Sequence, residues 1–552
     1  MDDPESGRKV VLPEKYYLTY FLDLVRFVEN HSSHLLDCDD RAFLDQFFSL
    51  SENGQSLYIR LVNRKGLFFR EGKLNYAEID ISSAIHELSS DGFISPVLTG
   101  TEELIRLFTK AELVANYSAL ELPKKIKKEE LYFELISNGD FQPLVTNYSI
   151  ICVEHQEAIE YIKMLFFGHY NAQMTEFVVR DVGHVKLEDL SKHRFKPWFS
   201  SLEESKAVFD ISQIKSKAIK KLRIFPASAL HEVLMDLEFP RFQRFASSQT
   251  VLDKFLLTVA KQLEREKEPE LALFYYEKCF DHPSRERRVR LYFLLNEIDE
   301  AERLAEKILQ KPRNASELTF AIDFLQKPKK KILRSTTRKL QNTGKSITVK
   351  PDTCRKVESI AIEYFTDRGY QGIHGENYLW NNLFGLTFWY ELLDSSFDTY
   401  HHPLQRTSSD IHKQDFFYNR KLQLKNRLDT IRTRKSWLAD VGQLIEEKTG
   451  ISNQFVYWHT DIRSHMSTML KYMPLKGAKL MMMEMAKNLK ENRKGFPDLL
   501  VWKDDEYCFY EVKSPNDQLS AQQLFWIDFM QSHKISADVL KLKYTESLRQ
   551  IN

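Results

Sequence analysis

Two short apolar segments joined by a polar turn, near the C-terminal end, constrain the fold of this chain more than any other feature. Residues 499–502 form the first segment, 503–506 the turn, and 507–512 the second segment. This pattern predicts a β-hairpin. Apolar residues at helical spacing over 521–530 predict a helix that follows the hairpin. The C-terminal region is therefore expected to be an α/β domain.

Charged side chains sit where this hairpin would bring them together. Because strand side chains alternate, Glu511 and Lys513 share one face while Val512 points into the core. Asp498 precedes the first strand, so the hairpin brings it beside Glu511. Two neighbouring carboxylates repel each other unless a cation lies between them, and hard oxygen ligands suit Mg²⁺ or Mn²⁺. These residues predict a metal-dependent nuclease centre, in which the cation polarises a phosphoryl group and activates water.

The predicted helix adds a further candidate. Ser520 is a plausible N-cap, Gln523 lies in the first turn facing the carboxylates, and Trp526 is expected to be buried. A plain surface amide is the alternative for Gln523. For the carboxylates, the alternative is a solvent-facing edge strand, since short Pro-Asp and Glu-x-Lys strings are common. The apolar segments on both sides and the following helix favour the nuclease centre.

The motifs Gly495-Phe496-Pro497-Asp498, Glu511-Val512-Lys513 and Leu519-Ser520-x-x-Gln523-x-x-Trp526 resemble the VRR-Nuc branch of the PD-(D/E)XK nucleases. The resemblance implies that the Asp, the Glu and an upstream acidic residue hold the metal. Glu376, within the segment 372–377, matches that upstream residue. The implied site is Asp498, Glu511, the backbone carbonyl of Val512 and Glu376, binding Mg²⁺ or Mn²⁺, with Lys513 positioning the attacking water.

A wider set of motifs resembles the Fanconi-associated nuclease family, in its short bacterial-like form. These motifs are Val357-Glu358, Gly375-Glu376, Leu383-Phe384-Gly385-Leu386 and the upstream segment 57–65. The resemblance implies a 5′-flap endonuclease and 5′→3′ exonuclease that acts on branched DNA in interstrand cross-link repair. A dimeric Holliday-junction resolvase and a non-catalytic DNA- or partner-binding scaffold stay open as alternatives.

Length and composition set the broader class. A chain of 552 residues is expected to form several domains, and a net charge of +1 means that any DNA contact must come from local basic clusters. Five dispersed cysteines suit a reducing compartment, and no long apolar segment suggests a signal or membrane span. We expect an intracellular monomer, with DNA-induced dimerisation as the alternative, located in the cytoplasm with the nucleoid in a bacterium or in the nucleus of a eukaryote.

The sequence predicts a multidomain protein whose N-terminal and central regions are mainly α-helical. The predicted divisions are a helical DNA-binding region over 1–100, a SAP-like DNA-binding module over 101–145, a mixed connecting region over 146–250, tetratricopeptide-like repeats over 251–326, a basic linker over 327–350, and a VRR-Nuc domain over 351–552 with a helical insertion at about 395–475.

Basic residues in three places are candidates for phosphate contact. They lie among aromatic residues in the N-terminal region, in the connection of the SAP-like module, and just ahead of Gly495. Solvated helix faces and loops are the alternative. The candidates are Arg60, Arg64, Lys65, Arg70, Lys124, Lys125, Lys127, Lys128, Arg493 and Lys494.

Overall fold

The computed structural model describes residues 12–117, 126–138, 140–183, 185–191, 193–326, 334–350, 354–413 and 415–545. The chain forms two compact units. The first comprises Met1–His184 with Pro197–Gln213, and the second comprises Val185–Lys196 with Ile214–Asn552.

The first unit is mainly helical and contains a small antiparallel sheet. The elements of this unit are α1 (Tyr16–Ser32), α2 (Cys38–Ser49), α3 (Glu52–Val62), β1 (Phe68–Arg70), α4 (Ile81–Ser90), β2 (Ile94–Pro96), α5 (Lys110–Asn116), α6 (Lys128–Asn138), α7 (Gln142–Asn147), β3 (Ile150–Val153), α8 (Gln156–Phe167), α9 (Thr175–Asp181) and the start of α10 (Leu202–Lys221). In the sheet, strand β3 lies between β1 and β2.

The second unit begins with a run of helices. These are α11 (His231–Met235), α12 (Phe239–Gln243), α13 (Ala246–Arg265), α14 (Pro269–Glu277), α15 (Ser284–Leu294), α16 (Ile298–Gln310), α17 (Ala315–Gln326) and α18 (Ser335–Asn342). Each helix from α13 to α17 packs against the next along the chain. This arrangement suits the tetratricopeptide-like repeats expected there, because such repeats bury their apolar faces against their neighbours.

The rest of the second unit is the α/β region. Its elements are β4 (Lys345–Val349), α19 (Val357–Thr366), β5 (Gln371–His374), α20 (Tyr378–Thr387), α21 (Trp389–Leu392), α22 (Asp415–Thr430), α23 (Arg434–Lys448), α24 (Ile462–Tyr472), α25 (Leu475–Lys487), α26 (Leu489–Asn492), β6 (Leu499–Lys503), β7 (Glu506–Lys513), α27 (Ala521–Ser532) and β8 (Ala537–Tyr544). A mainly helical protein with a mixed sheet near its C-terminal end confirms the predicted fold class.

The five strands form one sheet in the order β4-β8-β7-β6-β5. The outer strand β4 and strand β7 both run parallel to β8, whereas β6 runs antiparallel to β7 and β5. The predicted hairpin is therefore β6 and β7, paired with Leu499 opposite Tyr510. Both strands lie in the interior of the sheet, so each is hydrogen-bonded to a neighbouring strand on either side.

The two faces of the sheet bury different side chains, as strand alternation requires. Leu500 and Phe509 pack into the large core formed with α20 to α26, which also buries Trp526 of α27. Val501 and Val512 point to the opposite face, where α19 covers them. Val512 thus points into a core, as predicted, and Glu511 lies on the other face.

One predicted division needs correction. The basic linker expected over 327–350 contains helix α18 and strand β4 in its described part, residues 334–350. Strand β4 is the parallel partner of β8, so the sheet begins before residue 351. Ile347 and Val349 are buried in β4, so this part of the predicted linker belongs to the core of the sheet. Within the described residues, no helix combines the length and apolar character needed to span a bilayer.

Candidate active site

The segment that leads into β6 places Asp498 at the strand entrance. Gly495 has a φ of 81°, a left-handed backbone conformation that glycine adopts without strain. A Cβ atom on Gly495 would also lie 2.8 Å from Cγ of Gln522 on α27. Phe496 is buried, and its ring stacks on Trp526 with centroids 4.5 Å apart. The tight turn and this ring stack hold the segment before Asp498 against the helix.

Strand pairing brings Asp498 to β7. Because Leu499 pairs with Tyr510, the same register places Asp498 opposite Glu511. The backbone N–H of Val512 donates a hydrogen bond to Oδ2 of Asp498 at 2.8 Å. The predicted juxtaposition of Asp498 with Glu511 is therefore confirmed.

Helix α27 adds an amide to this face. Ser520 caps the helix, accepting a hydrogen bond from the N–H of Gln523 at 3.2 Å, while its own N–H donates to Oε1 of Gln523 at 2.9 Å. The same Oε1 accepts from Nζ of Lys513 at 3.2 Å, and Nε2 of Gln523 donates to Oε1 of Glu511. Gln523 therefore faces the carboxylates, as predicted, and cross-links two residues of β7.

Lys513 and Glu511 form an ion pair on the same strand face. Nζ of Lys513 lies 2.9 Å from Oε1 of Glu511, and the two side chains are 10% and 1% exposed. Such burial strengthens electrostatic interactions because little water screens them. The ammonium group is thereby held in one place beside the carboxylates.

Burial and mutual repulsion raise the pKa of both acids. Burial raises the pKa of Asp498 to about 6, against the lowering effect of the Val512 N–H, with Glu358 and Glu376 adding to the rise. Burial and the neighbouring Asp498 raise the pKa of Glu511 to about 8, although Lys513 opposes this. A bound cation would remove this repulsion and favour the ionised carboxylates.

Glu376 reaches the same place from a distant part of the chain. It lies between β5 and α20, and the backbone N–H groups of Gly375 and Glu376 both donate to the carbonyl oxygen of Asp498 at 2.9 Å. Its φ of 35° is unusual for a residue with a side chain. Its charge contributes to the raised pKa values of Asp498 and Glu511, so its carboxylate is a near neighbour of both.

The donor set suits a hard divalent cation. Oε2 of Glu511 is buried without a hydrogen-bond partner among the described residues, and a buried oxygen of this kind needs a ligand. Three carboxylates and the carbonyl of Val512 supply only oxygen ligands. However, no group of three or more His, Cys, Asp and Glu side chains in the described ranges is already gathered into a metal cluster. Glu376 is exposed, so its carboxylate must complete the site by turning inward.

Sequence reasoning gave too little weight to Glu358. This half-buried residue lies on α19, and its charge acts on the pKa of Asp498 more strongly than the charges of Lys513 and Glu376 do. No local sequence signal reveals this position, because it depends on the packing of α19 on β6 and β7.

Eight of the ten basic candidates divide into three groups. Arg64, Lys65, Lys127, Lys128 and Lys494 are exposed, Arg493 is half-buried, and Lys124 and Lys125 lie outside the described residues. Lys494 lies 3.1 Å from the half-buried Glu491, but its own side chain is exposed, so its ammonium group is accessible.

The structure argues against two of the predicted DNA contacts. Arg70 is only 10% exposed, pairs with Glu112 at 2.8 Å and lies between the rings of Phe108 and Tyr148. Arg60 pairs with Glu78 at 2.5 Å and stacks over Tyr17. Both guanidinium groups hold the first unit together through these contacts, which leaves them poorly placed to contact DNA.

Two known domain families match this chain, one in each unit. The family described as "FAN1, HTH domain" matches residues 15–95 in the first unit. The family described as "VRR-NUC domain" matches residues 432–543, which include the hairpin and α27.

Whole-chain comparisons agree with these matches. The Fanconi-associated nuclease 1 homolog of Pseudomonas aeruginosa is 25% identical and is matched over 97% of this chain and 97% of its own length. The Arabidopsis thaliana homolog is 23% identical over 96% of this chain and 67% of its own length. The Mus musculus protein is 22% identical, and the chain spans 63% of its length.

The fold is also similar to a solved structure. The crystal structure of paFAN1 bound to 5′-flap DNA with a 2-nucleotide flap and a gap has a TM-score of 0.86 and 23% identity, covering 97% of this chain and 99% of that chain. Domain matches at both ends and relatives along nearly the whole chain agree with the residues gathered around Asp498. Along nearly its whole length, this chain is similar to Fanconi-associated nucleases.

Proposed function

We propose that this protein is a structure-selective DNA nuclease that requires Mg²⁺ or Mn²⁺ and cuts 5′-flap and branched DNA. The observation that carries the proposal is that Asp498, Glu511 and Lys513 lie together where β6 begins and β7 ends, with Glu376 nearby. Phosphodiester hydrolysis requires charge stabilisation and an oriented water, and these side chains supply both.

Each residue has a separate task. Asp498, Glu511, Glu376 and the carbonyl of Val512 would hold the cation, which supplies Lewis-acid activation of the phosphoryl group and of water when bound. Lys513 is fixed by Glu511 and Gln523, so its ammonium group orients the attacking water and offsets negative charge that develops in the transition state. Gln523 keeps both β7 side chains in place. Burial of this face excludes bulk water from the reacting atoms.

A cavity beside α27 supports the proposal that the substrate has a single-stranded arm. It has a volume of about 1690 Å³ and reaches from helices α13 to α17 to Leu519, in the segment before α27. Phe320 and Phe324 stack within it, and the guanidinium group of Arg290 lies 4.6 Å from the ring centre of Phe320. Aromatic rings and cations along a groove are the features that hold unpaired nucleotides without reading their sequence.

The similar proteins add support for the substrate. The structure of paFAN1 was determined with 5′-flap DNA, and this chain has the same fold. We infer that this protein cuts a 5′ flap endonucleolytically, continues with 5′→3′ exonuclease steps and acts in interstrand cross-link repair. The exposed Arg64, Lys65, Lys127 and Lys128 in the first unit would contact duplex phosphates, as would Lys494 in the second.

Two other functions remain to be separated by experiment. A Holliday-junction resolvase would act as a symmetric dimer on four-way DNA, whereas a chain with a helical unit and a groove of its own suits an asymmetric, monomeric enzyme. A scaffold without turnover would bind DNA through the same basic residues. The pairing of Lys513 with Glu511 and Gln523 favours an active enzyme, because a decayed site has no need for this buried network.

A cleavage assay separates the three functions. Purified protein is incubated with end-labelled 5′-flap, 3′-flap, four-way and linear DNA in Mn²⁺, Mg²⁺ or EDTA, beside Asp498→Ala. A matched control is Asp504→Ala, which changes an exposed acid in the turn of the same hairpin.

We expect metal-dependent cutting of the 5′ flap that Asp498→Ala abolishes and Asp504→Ala retains, with DNA binding unchanged in both. Symmetric cutting of the four-way DNA would instead support the resolvase. Binding without cleavage in every metal would support the scaffold. Equal cutting by Asp498→Ala and the wild type would show that the site is wrongly assigned.

A further inference from the structure

The segment 453–459, between α23 and α24, lies directly against helix α20. A Cβ atom on Gly385 of this helix would lie 2.7 Å from Cγ2 of Val456 and 2.8 Å from Cβ of Phe455. Val456 and Phe455 are both buried. Contacts as close as these leave no space for a side chain on the helix, so they fix the segment on the backbone of α20.

The segment runs along α20 toward the candidate active site. Its far end, at His459, contacts Tyr378, and the two ring centres are 5.2 Å apart. Tyr378 and Gly385 lie on one face of the helix, about two turns from each other. Because Tyr378 is the first residue of α20, the His459 end of the segment lies at the end of the helix that follows Glu376.

Tyr457, between these two contacts, has a fixed backbone and an exposed side chain. Its N–H donates a hydrogen bond to Oδ1 of Asn382 at 2.7 Å, and Nδ2 of Asn382 donates to its carbonyl oxygen at 3.4 Å. Asn382 lies on α20 and is fully buried, whereas Tyr457 is 69% exposed. Burying an amide is costly unless its polar atoms are hydrogen-bonded. The fold therefore uses a buried amide to hold the backbone of a residue whose ring stays in water.

The position of this ring relates it to the site. Lone exposed aromatic residues are common on protein surfaces, so exposure alone carries no conclusion. The ring centre of Tyr457, however, lies 6.1 Å from that of His459, which in turn contacts Tyr378 at the start of α20. Two such steps span about three stacked nucleotides at roughly 3.4 Å each. A strand bound at the site is therefore long enough to reach this ring within a few nucleotides.

We propose that Tyr457 stacks on a nucleobase of the DNA strand that enters the active site, a few nucleotides from the scissile phosphate. The inference rests on the proposed function, since it takes DNA as the substrate and the residues around Asp498 as the catalytic site. Every base has an aromatic face, so this contact holds the strand without reading its sequence. A tyrosine side chain has few torsions to immobilise, and its backbone is already fixed here. The cavity that contains Phe320 is lined by other residues, so the two contacts hold different nucleotides.

The test compares Tyr457→Leu, Tyr457→Phe and Tyr457→Trp with the wild type. The matched control is Tyr418→Leu, which replaces another exposed tyrosine, on α22. Affinity for 5′-flap DNA is measured by anisotropy in EDTA, where no cleavage interferes. In a second measurement, 2-aminopurine replaces each base within about five nucleotides of the cut, because its emission falls when it stacks on an aromatic ring. Melting temperatures report on the fold.

We expect Tyr457→Leu to weaken binding of flap DNA by about 5- to 100-fold, the range for one stacked base. Its complex should show brighter 2-aminopurine emission than the wild-type complex at one position or two adjacent positions. Tyr457→Phe and Tyr457→Trp should retain both the affinity and the low emission, since each keeps an aromatic face. All variants should melt with the wild type, because the replaced side chain is exposed. Tyr418→Leu should leave affinity and emission unchanged.

Unchanged affinity and unchanged emission at every position in Tyr457→Leu would overturn the inference. Equal weakening by Tyr457→Phe and Tyr457→Leu would also overturn it, because the hydroxyl group and not the ring would then make the contact. The proposed function fails by a different result, namely cleavage by Asp498→Ala or the lack of cleavage by the wild type in every metal. The two failures are distinguishable because binding and emission are measured in EDTA.

Discussion

Replacing Glu511 with glutamine should stabilise the cation-free protein while abolishing cleavage. Glu511 is 1% exposed, faces Asp498 and has one carboxylate oxygen without a partner among the described residues. A glutamine keeps the shape and the oxygen that accepts from Gln523, and it places a neutral NH₂ group where the second oxygen lies. The substitution thus removes a buried acid with little change in packing.

The size of the effect follows from the pKa of Glu511. Its ordinary value of 4.5 is raised to about 8 in the folded protein. Between these values the unfolded chain releases the proton and the folded chain keeps it, so the cation-free wild type loses stability as the pH rises. At pH 7 the loss approaches roughly 3 kcal/mol, taking 1.36 kcal/mol for each pH unit above the ordinary value. Relaxation of the site reduces this, and we expect a gain of about 1–3 kcal/mol from Glu511→Gln.

The assay is thermal unfolding in EDTA at pH 5, 6, 7 and 8. The control is Glu506→Gln, which neutralises an exposed acid at the start of the same strand. The melting temperature of Glu511→Gln should exceed that of the wild type by about 2–4 °C for each kcal/mol gained, with little difference at pH 5 and the largest at pH 8. Added Mg²⁺ should stabilise the wild type more than the variant, because only the wild type has the full ligand set.

A lower melting temperature for Glu511→Gln than for the wild type would refute the reasoning, and so would a difference that does not change with pH. Either result would mean that Glu511 is stabilised by Lys513 more than it is penalised by burial and by Asp498. The charges of the cation-free site would then already be balanced by Lys513, and no cation would be required to offset them.

Three further substitutions test the site and its surroundings. Gly495→Ala should destabilise the protein by about 1–3 kcal/mol in denaturant unfolding and slow cleavage, because the left-handed φ and the close approach to Gln522 both disfavour a Cβ atom; unchanged stability would contradict this. Lys513→Met should lower kcat by about 10²- to 10³-fold with DNA affinity within about twofold in anisotropy measurements, because the buried ammonium group acts on the transition state; a loss confined to DNA affinity would argue against that role. Phe320→Ala should weaken binding of flap DNA by about 5- to 100-fold, the equivalent of one stacked base, while leaving binding of flap-free duplex unchanged; equal weakening of both substrates would exclude stacking in the groove.

The parts of the site that the sequence predicted are those set by local pattern. Alternation between apolar and charged residues placed Glu511 and Lys513 on one strand face, and the turn between the two segments defined the hairpin. The capping residues Ser520 and Gln523 marked the start of α27. In each case the residues that determine the structure lie within a few positions of one another.

The parts that the sequence did not predict depend on long-range pairing. The basic composition of 327–350 suggested a linker and concealed β4, because nothing local indicates that residue 345 pairs with residue 540. The ion pairs of Arg60 and Arg70 depend on acids 18 and 42 residues away, so both looked available for DNA. Glu358 comes near Asp498 only when α19 packs on the sheet. Propensity and spacing carry no information on such partners.

The pairing of β4 with β8 has a consequence for how this enzyme can be divided. The region matched to the VRR-NUC family, 432–543, contains β6, β7 and β8 but neither β4 nor β5. A fragment cut at those limits would have β8 and β6 as its outer strands, each with its backbone exposed along one edge of the sheet. Of these two strands, β8 is largely buried in the whole protein. Open edges of this kind pair with other chains, so the fragment should self-associate into insoluble material. Soluble expression of the catalytic region therefore requires a start before Lys345, which also retains Glu376.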